Sequence, residues 1–93
     1  MIPEKLKIFG HDYVVMMHDQ DEVGNCHLGT HIHRSTEILI NRSQSKTQME
    51  STLIHEIIEA LNVYQELNLK HDQVVRLETG LYQVLKDNKL DFS

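Results

Sequence analysis

Apolar residues recur at every second position in short runs of the first half of the chain, at Leu6, Ile8, Tyr13, Val15, Ile38 and Ile40. A period of two places such side chains on one face of a β-strand. Gly10-His11-Asp12 is typical of a tight turn, and the polar segment 19–25 predicts a surface loop before a strand from about Cys26 to His33. With a last strand over Glu37–Asn41, the pattern over about residues 5–42 predicts a sheet of three or four strands, mainly antiparallel.

The second half of the chain follows the helical period. Ser45 and Gln48 have the spacing of a reciprocal capping box, so we expect a first helix over about residues 46–67. At about 100° per residue this helix has one broad apolar face. The face must pack on the sheet, and it contains Leu53, Ile54, Ile57, Ile58, Leu61 and Tyr64.

A second helix is expected over about residues 71–87. Its apolar stripe consists of Val74, Leu77, Leu81, Val84 and Leu85. Gly80 lies inside this helix, where a glycine costs about 1 kcal/mol against alanine. We therefore expect Gly80 to permit a close approach of the first helix.

Length and composition predict one α+β domain over residues 1–93. A chain of 93 residues has little room for a second core, and 40% hydrophobic and 25% charged residues are ordinary for a globular protein. The formal net charge is -5, and the nine Lys and Arg residues are scattered singly along the chain. Direct binding to nucleic acid is therefore not expected.

The distribution of cysteine and apolar residues bears on where in the cell the protein is expected. Cys26 is the only cysteine, so no disulfide can form within the chain, which favours a reducing, cytoplasmic environment. The first ten residues lack the pattern of a signal peptide, and no apolar run approaches the roughly 20 residues that span a bilayer, so no membrane segment is expected. Seven histidines are a high share for 93 residues and favour a metal site.

The segment His55-Glu56-Ile57-Ile58-Glu59 contains the strongest chemical pattern. His55 and Glu59 are one helical turn apart, so both can contact a single cation on one face. Glu56 projects about a third of a turn away, where a carboxylate can take a proton from water without ligating the ion. An ordinary solvated helix side remains an alternative, because Asn62 and Glu66 continue the same stripe.

Segments 51–62 (STLIHEIIEALN) and 80–88 (GLYQVLKDN) resemble the small phage and prophage zincin-like metallopeptidases of bacteria. The resemblance extends over most of the chain. It implies a short sheet, a helix with a His-Glu-x-x-His-like motif, and a second helix that closes the site. It also implies a zinc-dependent protein that hydrolyses peptide bonds through a metal-activated water, with Glu56 as the catalytic carboxylate and a peptide or protein as substrate.

The chain departs from that motif at Glu59, which stands where the second histidine is usual. A water-activating zinc site commonly has two histidines and one carboxylate, and a histidine from elsewhere would restore this set. His71 is the first candidate, since the turn between the helices can fold it over His55 and Glu59. Glu78 is the alternative third ligand, because thermolysin-type zincins take a glutamate from a following helix.

Two other functions stay open. The first is a non-catalytic phage-type accessory protein that retains the zincin scaffold for stability or partner binding, which the missing histidine favours. The second is storage or sensing of transition metals by several weak histidine sites.

Other motifs have ordinary structural explanations. His31 and His33 share one face of a strand and can chelate a metal, although a polar sheet face is commoner. Cys26 and His27 are neighbours and would point to opposite faces of a strand, which argues against a thiol nucleophile. The acidic segment 19–25 lacks the ligand spacing of a calcium loop.

Overall fold

A computed structural model describes residues 2–19 and 28–92. Its elements follow the predicted order: β1 (Lys5–Ile8), β2 (His11–His18), β3 (Gly29–Ile32), β4 (Glu37–Asn41), α1 (Lys46–Gln65) and α2 (His71–Asp87). This is an α+β fold with two C-terminal helices after a four-stranded sheet, as expected. Cys26, His27 and the predicted loop beyond residue 19 lie outside the described residues.

The sheet has the strand order β1-β2-β4-β3. The outer pairs β1–β2 and β3–β4 are antiparallel, whereas β2 and β4 are parallel, so the sheet is mixed. The turn between β1 and β2 lies at Phe9 and Gly10, one residue earlier than expected, and both have positive φ angles, of 51° and 79°. Two residues with positive φ form the tight hairpin turn whose twist matches the flanking strands, so His11 and Asp12 belong to β2 instead.

The core lies between α1 and one face of the sheet. Tyr13, Ile38 and Ile40 are fully buried on that face, and Leu53 and Ile58 of α1 are buried as predicted. Ile57, Leu61 and Tyr64 are partly buried and pack against the same cluster. The period-two and period-3.6 patterns therefore identified the two surfaces that form the core.

Helix α1 begins and ends with recognisable caps. Ser45 Oγ accepts a hydrogen bond from Gln48 N at 3.2 Å, which is one half of the predicted reciprocal capping box. Glu66 adopts the left-handed conformation with φ of 50° and caps the C-terminus, so the helix ends at Gln65 rather than near Leu67.

Helix α2 buries only part of its predicted apolar stripe. Val74 is fully buried, but Leu77, Leu81 and Val84 are 44–47% exposed. The contact with α1 is made instead by polar side chains such as Glu78, Tyr82 and Lys86.

The expectation for Gly80 is also wrong. A Cβ atom built at Gly80 would have no atom within 4 Å, so α1 does not approach there. Among the residues that the structure describes, neither α1 nor α2 combines the length and apolar character needed to cross a bilayer.

Candidate functional site

A cleft of about 630 Å³ lies between α1, the start of β3 and the first half of α2. Helix α1 contributes Thr52, His55 and Glu56 to its wall, and α2 contributes His71 and Glu78. We call this the interhelix cleft. The residues predicted to ligate metal thus come from two helices that meet along one seam.

The turn between the helices positions His71. The Asn62 side chain holds this turn in two places, since its Oδ1 accepts a hydrogen bond from Leu69 N at 3.0 Å and its Nδ2 donates to Leu69 O at 3.2 Å. Gln73 Oε1 accepts a hydrogen bond from Lys70 N at 2.8 Å at the start of α2. Asn62 is therefore not merely part of a solvated helix side, because it fixes the chain segment that returns His71 to α1.

His55 has a carboxylate near each ring nitrogen, and one of them is hydrogen-bonded to it. Its Nδ1 is 2.8 Å from Glu78 Oε1, and its Nε2 is 3.6 Å from Glu59 Oε2. An ionised carboxylate only accepts hydrogen bonds, so Nδ1 carries the proton and donates it to Glu78. In the neutral imidazole this leaves the lone pair of Nε2 facing Glu59. Glu78 also accepts a hydrogen bond from Ser51 Oγ, which holds its carboxylate in place.

His55, Glu59 and His71 form a group whose potential ligand atoms all lie within 4.8 Å of one another. The rings of His55 and His71 have centroids 5.6 Å apart. Donors about 2.1 Å from a tetrahedral zinc ion are about 3.4 Å apart, so the 3.6 Å distance between His55 Nε2 and Glu59 Oε2 already suits the ion. Since no pair in the group exceeds 4.8 Å, only a small inward movement of His71 is needed. His71 is exposed, which leaves its side chain free to make that movement. Two imidazoles and one carboxylate match the usual donor set of a water-activating zinc site.

Glu56 is the buried carboxyl group of the cleft, with only 5% of its surface exposed. Burial raises its pKa to about 7, the neighbouring His55 opposes this shift, and the charges of Glu59 and Glu78 add to it. A carboxyl group with this pKa exists in both protonation states near neutral pH. It can therefore exchange protons under physiological conditions.

Gly29 closes the cleft beside Glu56, and the sequence analysis did not identify it. A Cβ atom at this position would lie 2.5 Å from Thr52 Cγ2, 3.0 Å from Glu56 Oε2 and 3.2 Å from Leu39 O. Only glycine allows β3 and α1 to approach this closely. The signal in the sequence was an isolated glycine in a predicted strand, which indicates a close backbone approach.

The remaining described histidines near α1 form a separate group. His11, Tyr13, His31, His33 and Tyr64 pack together at the C-terminal end of α1, and we call them the histidine–tyrosine cluster. The Tyr13 hydroxyl is hydrogen-bonded to His31 Nε2 and to the Tyr64 hydroxyl, both at 2.9 Å. Burial, followed by the nearby His33, lowers the pKa of His31, and Glu59 acts in the opposite direction. His31 and His33 do share a side of the sheet, but their partners are aromatic rings and a phenol.

Comparison with protein-family models, with curated proteins and with solved structures finds no match for this chain. The geometry of the cleft is therefore the main guide to function.

Proposed function

We propose that the interhelix cleft binds one divalent transition metal ion, zinc by its donor set, through His55, Glu59 and His71. We further propose that the protein hydrolyses amide bonds with Glu56 as the proton-transferring residue. The observation that carries this proposal is the convergence of two imidazoles and a carboxylate beside a buried carboxyl group whose pKa is about 7. The same reaction is expected from the resemblance of segments 51–62 and 80–88 to small zincin-like peptidases.

The hydrogen bond from His55 to Glu78 supports a metal-ligand role for His55. Metal-binding histidines usually donate their second ring N–H to a carboxylate or carbonyl, which fixes the tautomer and strengthens the ligand. Glu78 meets this description at 2.8 Å from Nδ1. In this arrangement Glu78 positions a ligand, and it need not be the third ligand itself.

The burial of Glu56 supports its role in proton transfer. A bound zinc ion would lower the pKa of a coordinated water molecule and polarise the carbonyl group of the substrate's amide bond. Glu56 is adjacent to His55 in sequence, is 5% exposed and lies directly beside Gly29. The charge of the zinc ion would favour the carboxylate form of Glu56, which can accept a proton from an attacking water and return it to the leaving amine.

Metal content per chain tests the binding step directly. Protein purified without a tag and without chelators, then supplemented with zinc and desalted, should contain one zinc ion per chain. His55→Ala and His71→Ala should each lose it, whereas Glu78→Gln should retain the site with about 10- to 100-fold weaker affinity. His11→Ala is the matched control, because His11 is an exposed histidine outside the cleft and its loss should leave zinc content unchanged.

Absence of zinc from the folded wild-type protein would contradict the metal site. In that case the chain is better explained as a non-catalytic scaffold that binds a partner. Several weakly bound ions that survive His55→Ala would instead indicate dispersed histidine binding.

Peptide hydrolysis tests the role of Glu56. On a library of unstructured peptides, Glu56→Gln should keep its zinc and lose roughly 100- to 10,000-fold in rate, the usual contribution of a general acid–base group. Equal rates in the wild type and in Glu56→Gln would show that another group transfers the proton.

A further inference from the structure

One side of α2 has an apolar stripe that the described part of the chain does not cover. Leu77, Leu81 and Val84 are 47%, 46% and 44% exposed, and they lie at helical spacing on one side of the helix. His71, Glu78 and Tyr82 lie on the side of α2 that contacts α1. The apolar stripe is about a quarter to a third of a helical turn away from that side. Three large hydrophobic residues on the same side of one helix form a contiguous apolar patch, unlike single exposed hydrophobic residues scattered over a surface.

Gly80 lies within the same patch. A Cβ atom there would meet nothing within 4 Å, so no contact in the described structure requires glycine. A glycine inside a helix costs about 1 kcal/mol against alanine. Small residues in helix faces permit another helix to approach closely, and no described part of the chain makes such an approach at Gly80.

We propose that α2 binds a second copy of the same chain through Leu77, Gly80, Leu81 and Val84, in an antiparallel pair of α2 helices. A two-fold axis beside Leu81 would set Leu77 near the second copy's Val84. It would also place Leu81 over the second copy's Gly80, where the missing side chain leaves room. The patch is thus complementary to itself, as a two-fold interface requires.

The charged residues along one edge of the stripe favour this particular arrangement. Arg76 and Asp87 lie on the same edge, eleven residues apart, on either side of Leu81. In an antiparallel pair the same edges of the two helices face each other. In the register set by Leu77 and Val84, Arg76 is offset by two residues, about 3 Å along the helix, from the second copy's Asp87, which its long side chain can span, and the contact occurs twice. In a parallel two-fold pair opposite edges face each other, so Arg76 and the second copy's Asp87 would lie on different sides of the interface. In the single chain Arg76 pairs with Asp72 and Asp87 accepts a hydrogen bond from Gln83, both at the surface and able to accept a further partner.

The size of the patch predicts a weak dimer. Stable interfaces bury at least about 1,200 Å², and one helix with three large exposed side chains supplies less. We expect a dissociation constant on the order of 10–100 μM.

Sedimentation equilibrium between about 5 and 500 μM measures this association. The wild type should change from monomer to dimer over that range. Leu81→Glu should remain a monomer throughout, while Val63→Glu, which changes an equally exposed residue on α1, should associate like the wild type. A wild type that stays monomeric at 500 μM, or a Leu81→Glu variant that still associates, would overturn the proposal.

Charge reversal tests the antiparallel arrangement. Arg76→Glu alone sets like charges against each other twice, and so does Asp87→Arg, so each should weaken association by about fivefold or more. An equal mixture of the two variants forms a mixed dimer in which both contacts join opposite charges, and it should associate within about twofold of the wild type. Failure of the mixture to restore association would exclude this pairing. These residues lie outside the interhelix cleft, so zinc content and dimer formation can succeed or fail separately.

Discussion

The interhelix cleft and the histidine–tyrosine cluster both gather histidines against α1, but they differ in what surrounds the imidazoles. In the cleft, His55 has carboxylates near both ring nitrogens, and a second imidazole lies close by. In the cluster, His31 Nε2 is occupied by the Tyr13 hydroxyl, and His33 packs against the Tyr64 ring with centroids 4.7 Å apart. The comparison shows that neighbouring carboxylates, more than the number of histidines, distinguish a candidate metal site from structural packing.

The two regions also respond to pH in opposite directions for the same physical reason. Burial disfavours the charged form of a group, so it raises the pKa of Glu56 and lowers the pKa of His31. Glu56 stabilises the fold while it is protonated, and this contribution is lost as the pH rises. His31 stabilises the fold while it is neutral, and this contribution is lost as the pH falls below the ordinary histidine pKa of 6.5.

The largest expected effect concerns Glu56. Its pKa of about 7 in the folded protein exceeds the ordinary value of 4.5, so between these values the unfolded chain releases a proton that the folded chain keeps. The free energy of unfolding of the metal-free protein should therefore fall by roughly 3 kcal/mol as the pH rises from 4.5 to 7. Glu56→Gln should remove this loss, which urea unfolding of chelator-treated protein at a series of pH values would measure.

The control for that series is Glu66→Gln, because Glu66, the C-cap of α1, is exposed and does not line the interhelix cleft. Its pH dependence should follow that of the wild type closely. If Glu56→Gln and the wild type lose stability in parallel between pH 4.5 and 7, Glu56 is already ionised and the cleft is wetter than its burial indicates.

A smaller effect is expected at Gly29. Gly29→Ala adds a methyl group 2.5 Å from Thr52 Cγ2 and 3.0 Å from Glu56 Oε2, so β3 must move away from α1. We expect a loss of about 2 kcal/mol in the free energy of unfolding, in the range found for overpacked cores. Zinc content should remain, because the ligand atoms are on the helices, whereas peptide hydrolysis should fall as Glu56 shifts.

Gly80→Ala is the matched variant for Gly29→Ala. A Cβ atom at Gly80 meets nothing in the single chain, so this change should stabilise the monomer at low concentration by up to about 1 kcal/mol. Equal destabilisation by both substitutions would mean that the close approach at Gly29 has no special role.

The fold was predictable because its signals are local and periodic. Alternation at Tyr13 and Val15, the apolar face of α1 and the cap at Ser45 each follow from spacing along the chain, and the structure confirms all three. Strand order was not readable, since parallel pairing of β2 with β4 depends on contacts between distant segments.

The apolar stripe of α2 shows the limit of such a pattern. Periodicity shows that a helix side is apolar, but it does not show what covers that side. Leu77 and Leu81 belong to the stripe and are nearly half exposed, and the seam with α1 is made largely by polar side chains such as Glu78 and Tyr82. The same pattern is produced by a side that faces the core and by one that faces a second molecule.

The candidate site was predictable in part. His55, Glu56 and Glu59 followed from one helical turn of sequence, and the proximity of His71 required only that the helices reverse direction. The hydrogen bond from His55 to Glu78 and the approach of Gly29 to Glu56 depend on side-chain positions across elements, which spacing along one chain does not specify.

The smallest expected effect separates the two histidine regions. Tyr64→Phe removes one hydroxyl, which is hydrogen-bonded to Tyr13, and keeps the ring that packs against His11 and His33. The loss should be about 1 kcal/mol in the free energy of unfolding by urea, the usual net contribution of one hydrogen bond. Zinc content should not change, because the hydroxyl does not contact the ligand group of the cleft. A fall in zinc content with stability preserved would mean that the two regions are coupled, and Glu59 would be the connection, since its charge acts on both His31 and Glu56.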